Sequence, residues 1–105
     1  MSRTATEEIF GPVVTIHSFK TEDEAIEMAN CTDYGLAGSV WTGDTQRGAR
    51  VAERLETGMV WVNTWLHRDL RVPFGGIKDS GVGREGGRWS LGFFSEAINI
   101  CVKES

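Results

Sequence analysis

Three stretches of this sequence have residue types and spacings that could do chemistry. Cys31 and Cys101 offer thiols, His67-Arg68-Asp69-Leu70 matches the opening of a protein-kinase catalytic loop, and Gly81-Val82-Gly83-Arg84-Glu85-Gly86 fits the GxGxxG pattern that cradles phosphate. Each fails on its surroundings. The cysteines stand seventy positions apart, which suits neither a CxxC redox pair nor a zinc knuckle. Cys31 follows a helix in Ala29-Asn30-Cys31-Thr32 and reads as a small buried or half-buried thiol; Cys101 alternates with Ile100 and Val102 and reads as packing. A kinase loop needs asparagine four residues after Leu70, where Phe74 stands, and its glycine loop should come first. The Gly81 loop follows residues that read as loop, and the acid about 20 positions on, Glu104, lies beyond the last strand. A tight structural loop is the expectation there. No catalytic residue and no metal ligand set is expected.

The elements that position these stretches alternate. Val13 to Phe19 is rich in β-branched residues and reads as a strand. Thr21-x-x-Glu24 is a capping box that should open a helix, with Ala25, Ile26, Met28 and Ala29 at helical spacing, and Tyr34-Gly35 ends that unit. Ala37 to Thr42 is a second strand, and Asp44 is the N-cap of a helix turning Ala49, Val51, Ala52 and Leu55 inward and Arg47, Arg50, Glu53 and Arg54 to water. Gly58 falls where a left-handed C-cap is wanted. Met59 to Val62 is continuously apolar, as in a strand covered on both faces. Arg71 to Gly87 reads as irregular loop, Trp89 to Ala97 as a short helix, and Ile98 to Lys103 as a last strand with an open edge. The order predicts an α/β fold with a parallel or mixed sheet and flanking helices.

Composition narrows the function classes. With 105 residues there is room for one small domain. A net charge of −4, without a basic run, argues against nucleic acid or an anionic membrane as partner. Two cysteines exclude a disulfide-dense secreted scaffold, and no apolar run approaches membrane-spanning length, so a cytoplasmic location is expected.

Two longer strings are far more specific. Glu7-Glu8-Ile9-Phe10-Gly11-Pro12-Val13 and the run from Pro73-Phe74-Gly75-Gly76 through Gly83-Arg84-Glu85 resemble signature segments of the aldehyde dehydrogenase superfamily. Tyr34-Gly35-Leu36-Ala37 and Gly58-Met59-Val60-Trp61-Val62-Asn63 resemble family segments in the same order, so the resemblance covers about Glu7 to Lys103. Within the superfamily, the segments from Asn63 to Arg71 and from Asn99 to Lys103 are most similar to the 2-hydroxymuconic and 2-aminomuconic semialdehyde dehydrogenases. The fold this implies is the C-terminal part of the aldehyde dehydrogenase fold, with residues 1–97 from the catalytic and cofactor region and 98–105 as an oligomerisation strand and tail.

The resemblance also implies roles. The family oxidises an aldehyde through a cysteine thiolate, with NAD or NADP as cofactor. Its nucleophile, base glutamate, oxyanion asparagine and Rossmann domain match sequence upstream of Glu7, so this chain alone is expected to be inactive. Glu8 matches the glutamate that binds the nicotinamide ribose hydroxyls, a diol that one carboxylate can accept twice. Phe10 matches the aromatic beside the nicotinamide ring. Phe74, Trp65 and Leu66 fall where the family lines its aldehyde tunnel. Arg68 is expected to hold the carboxylate of a muconic semialdehyde through its planar fork. The last strand implies a homo-oligomer. Two rival readings remain: a non-catalytic chain acting only through association, and a small nucleotide-binding module using the glycine loop.

Overall fold

A computed structural model describes residues 2–105. Its elements, in chain order, are α1 (Arg3–Thr6), α2 (Glu22–Asn30), β1 (Tyr34–Gly35), β2 (Ala37–Val40), α3 (Thr45–Ala52), β3 (Met59–Val62), β4 (Ile77–Lys78) and α4 (Gly87–Phe93). The two longer helices start where their caps dictate. The Thr21 hydroxyl accepts the Glu24 amide at 3.2 Å, and the Glu24 carboxylate reaches back to the Lys20 amide at 2.7 Å. Asp44 accepts the amides of Gln46 and Arg47 at 3.0 and 3.1 Å, satisfying two of the donors a helix start leaves open.

The centre of the fold is a β2-α3-β3 unit. Its strands run parallel in the register Ala37↔Met59 to Val40↔Val62, and α3 is the crossover that a parallel pair requires. Gly48 lets α3 lie against β3, since a Cβ there would stand 2.5 Å from a Val62 methyl. A second, antiparallel pair joins β1 to β4, Tyr34↔Lys78 and Gly35↔Ile77. The two pairs meet at glycine backbone: the Gly58 amide donates to the Gly35 carbonyl at 3.0 Å, and a Cβ on Gly58 would fall 1.8 Å from the Gly75 carbonyl oxygen. Lys78 then ties β4 to the end of α2, its ammonium donating to the Asn30 and Thr32 carbonyls at 2.9 and 3.1 Å and pairing with Glu56. A cation is favoured at that end of a helix. Arg50 and Arg54 of the α3 region pair with Glu22 and Asp23 of α2. These exposed pairs set orientation more than stability.

Several sequence expectations differ from this structure. Residues 13–19 and 98–103 form no strand. Both have strand composition, but a strand exists only when a second ladder takes its amides and carbonyls, and among the described residues none does. Gly58 is no C-cap, because α3 ends six residues earlier at Ala52; the position is glycine for the close approach just described. Ala29 and Ala49 are exposed rather than inward, and so are both cysteines, Cys31 and Cys101. Tyr34-Gly35 is a short strand rather than a terminator, and the 71–87 loop contains β4 and an antiparallel bridge between Phe74 and Glu85. The last helix begins two residues earlier than expected, since Gly86 and Gly87 turn into it at positive φ, and ends at Phe93.

The molecule is long, 74 × 32 × 23 Å with a radius of gyration of 18.8 Å, where a compact domain of about 100 residues has roughly 13 Å. Ile26 is the one buried hydrophobic side chain among the described residues. In the full-length product of the encoding gene, Gly58→Ala is expected to cost about 3 kcal/mol or more of unfolding free energy, because backbone must move to admit the methyl. Gly43→Ala, which would meet nothing within 4 Å, should stay within about 0.5 kcal/mol. Urea unfolding midpoints check this, and equal midpoints would overturn the account of the glycine junction.

Candidate functional site

The chain leaving β3 builds a cleft. Asn63 leaves the strand at φ 55°, its side chain accepting the Thr42 amide at 2.8 Å, and Leu66 follows at φ 52°. Asparagine tolerates this left-handed region, whereas leucine is held there only by its surroundings. Trp65 folds back edge-on to Trp61, with ring centroids 5.1 Å apart. The Trp61 indole N–H donates to the His67 carbonyl at 3.0 Å, so a strand side chain sets where the next residues begin. Arg68 then places its guanidinium over the Phe74 ring, 4.3 Å from the centroid. Phe74 is fixed by two backbone bonds of 2.8 Å to Glu85.

The result is a cleft of about 530 Å³ whose walls include Trp61, His67, Arg68, Leu70, Phe74 and Ser90. Its size and mixture of apolar walls with few polar groups suit a small organic ligand. Asp69 also lines it, but its carboxylate is taken by the Arg71 fork, at 2.8 and 3.1 Å to the Arg71 Nε. The Arg71 side chain, then its backbone amide, hold Asp69 below the usual carboxylate range, and His67 contributes electrostatically. The same pairing raises Arg71. Arg68, by contrast, has no carboxylate partner among the described residues.

Of the residues the sequence singled out, the structure therefore brings Arg68 and Phe74 together. Trp65 supports the wall through Trp61, and both Trp65 and Leu66 stay exposed outside the cleft lining. Glu8 lies in a separate groove with Thr6, Tyr34, Leu36 and Ser80. Of the two consecutive acids, Glu7 is held by Arg3 at 2.7 Å, while the Glu8 carboxylate has no partner among the described residues. Phe10 is 93% exposed at φ 55°, so it is not a core phenylalanine of this chain. His67, Trp61 and Asp69 were not assigned to the site from sequence. The Asp69-x-Arg71 spacing, compatible with a local turn, was the available signal.

The glycine loop has a short strand, β4, before it and α4 after it, closer to the dinucleotide arrangement than its sequence suggested. The helix nevertheless opens only past the third glycine. The space beside Gly83 is filled by the Phe93 ring, 3.2 Å from where a Cβ would be. That is the environment of a packed turn.

This chain belongs to the aldehyde dehydrogenase family, whose model matches residues 1–100. It is 59% identical over 98 residues to the 2-hydroxymuconic semialdehyde dehydrogenase of Pseudomonas sp. (strain CF600), covering 93% of this chain and 20% of that protein. It is 52% identical to a 2-aminomuconic 6-semialdehyde dehydrogenase of Pseudomonas sp., over 97% of this chain and 21% of the relative. A betaine aldehyde dehydrogenase from Staphylococcus aureus, solved in complex with NAD+, superposes with a TM-score of 0.84 at 47% identity, covering 88% of this chain and 18% of that one. The chain thus spans about a fifth of the length of the curated relatives it matches. Among the described residues, no helix is long and apolar enough to cross a membrane.

The Asp69–Arg71 pair makes a titration prediction. Because folding lowers the Asp69 pKa, its contribution to loop order is present above the unfolded carboxylate value and is lost as pH falls through the lowered one. Carboxyl-carbon NMR should show Asp69 titrating below the ordinary aspartate range, and Arg71→Gln should move it back up. No change on that substitution would refute the assignment.

Proposed function

We propose that this chain forms the substrate-facing and part of the cofactor-facing surface of an NAD(P)-dependent aldehyde dehydrogenase that oxidises a semialdehyde bearing a carboxylate. The observation that carries the reading is Arg68: a guanidinium seated on Phe74 at the rim of the cleft, while the acid next to it in sequence, Asp69, is bound by Arg71. An arginine on an aromatic face with its N–H fork uncommitted is set to receive a carboxylate bidentately. Phe74 and Trp61 would flank the carbon chain, with Trp65 and Leu66 completing the wall from outside. The names of the Pseudomonas relatives, both muconic semialdehyde dehydrogenases, agree with an acidic aldehyde and with a place in aromatic-compound degradation.

Glu8 fits the ribose of a nicotinamide cofactor, since its carboxylate is exposed and accepts nothing from the described residues while Glu7 is engaged. Phe10, projecting free of the core, would face the nicotinamide ring. When bound, the cofactor supplies the hydride acceptor; this chain supplies only orientation to it. Residues 98–105 are read as the segment that pairs with a partner subunit, because Ile98, Ile100 and Val102 alternate along an extended, exposed backbone. The enzyme so described would work in the cytoplasm.

Both arms are tested on the full-length product of the encoding gene. Arg68→Ala should raise KM for 2-hydroxymuconic semialdehyde by roughly 10- to 100-fold, the loss expected for a charge-assisted bond, and raise it far less for an uncharged aldehyde. Equal effects on both, or no aldehyde oxidation by the unaltered protein, would overturn the reading. Glu8→Gln should raise the KM for NAD+ about tenfold, and Glu7→Gln much less. If the two acids behave alike in that kinetic comparison, Glu8 has no special role.

A further inference from the structure

The loop that carries Arg68 hangs on one side chain of β3. Among the described residues, a single hydrogen bond reaches residues 64–68, from the Trp61 indole N–H to the His67 carbonyl at 3.0 Å. The same indole meets Trp65 edge-on, with ring centroids 5.1 Å apart. Leu66 lies between those two held points at φ 52°, a left-handed turn that leucine keeps only where its flanks are fixed. Upstream, the stretch leaves β3 at Asn63, whose amide donates to the Val40 carbonyl. At its far end the Arg68 guanidinium rests on Phe74, which is itself fixed by Glu85. A peptide unit is rigid and planar. The His67 carbonyl shares one such plane with the nitrogen and α-carbon of Arg68, so a bond that fixes the carbonyl also fixes the root of the arginine side chain.

We infer that Trp61 is a positioning residue for the arginine: through the 67–68 peptide plane, its indole N–H sets where the Arg68 guanidinium waits for a carboxylate. This rests on the reading of Arg68 given above. Without the indole bond, residues 64–68 have no hydrogen bond to the rest of the fold, and Leu66 loses a contact that keeps it left-handed. The arginine root is then free to move, and binding an acid must order the loop as well as the ligand. The indole ring has a second effect, and it is separable from the first. Its apolar face lines the cleft and would meet the carbon chain of any aldehyde, whereas the N–H is spent on the His67 carbonyl and matters only to a ligand that uses Arg68.

The test is a double-mutant cycle on the full-length product of the encoding gene, read as KM for 2-hydroxymuconic semialdehyde. Trp61→Phe, which keeps a ring and removes the donor, should raise that KM roughly 3- to 10-fold, as expected for one neutral hydrogen bond. Its kcat should stay within about twofold, since the reacting end of the aldehyde is untouched. An uncharged aldehyde should lose far less. Placed in the Arg68→Ala protein, the same substitution should raise the KM of the acid no further, because the group it positions is gone. Replacing Trp61 with 3-benzothienylalanine, where sulfur stands in for the N–H at nearly the same shape, should reproduce the effect. That variant carries the test alone if Trp61→Phe does not accumulate as soluble protein. Additive losses in the double variant, or equal losses on charged and uncharged aldehydes, are what a merely packed tryptophan gives, and either overturns the inference. So does an acid KM that neither replacement moves. If Arg68→Ala separates the acid from the uncharged aldehyde and the Trp61 variants do not, only the role of Trp61 falls. If Arg68→Ala does not separate them, the reading of Arg68 fails and this one with it.

Discussion

The structure depends on one steric constraint, the approach of three glycine backbones where its two small sheets meet. Gly35 ends β1, Gly58 leads into β3, and Gly75 joins Phe74 of the cleft wall to β4. The Gly58 amide bonds the Gly35 carbonyl while its α-carbon lies against Gly75 with no space for a methyl. That contact turns a parallel pair and an antiparallel pair into one scaffold. It also sets the aromatic wall of the cleft relative to the strand that supplies Trp61.

What was legible in the sequence follows from where the information for each element resides. The start of α2 is written in Thr21 and Glu24, and that of α3 in Asp44, because capping is settled within four residues. The parallel β2–β3 pair could be read from an apolar run after a helix. The segments 13–19 and 98–103 could not be resolved the same way. Their alternation specifies an extended chain, but a ladder requires a partner, and that partner is not encoded in the segment itself. Gly58 was misread because a glycine after a helix fits a cap as well as a close approach, and only the fold separates the two.

The site divides similarly. Arg68 and Phe74 were drawn from motifs six positions apart, and the structure stacks one on the other. Glu8 and Phe10 were drawn from one motif, yet only Glu8 lies in a groove. His67 went unassigned because its significance comes from Trp61, a strand residue whose indole N–H fixes the carbonyl of a residue six positions later. Such a bond is invisible to any reading that treats strand and loop separately. The extended outline and the many exposed apolar side chains fit a surface shaped to be covered, in a chain that spans about a fifth of the length of its curated relatives.

The way the loop after β3 is held has a consequence for how such an enzyme would change over time. Its course is set by main-chain turns at Asn63 and Leu66 and by a tryptophan that grips a carbonyl, not by the side chains of positions 67 and 68. Both positions line the cleft without setting the course of the loop. Substitutions at the exposed position 67 should therefore cost the fold little, while at position 68 they cost the stacking on Phe74. The loop behaves as an exchangeable cassette on a fixed mount, on which a change of diet for the organism would need only a change of one or two codons.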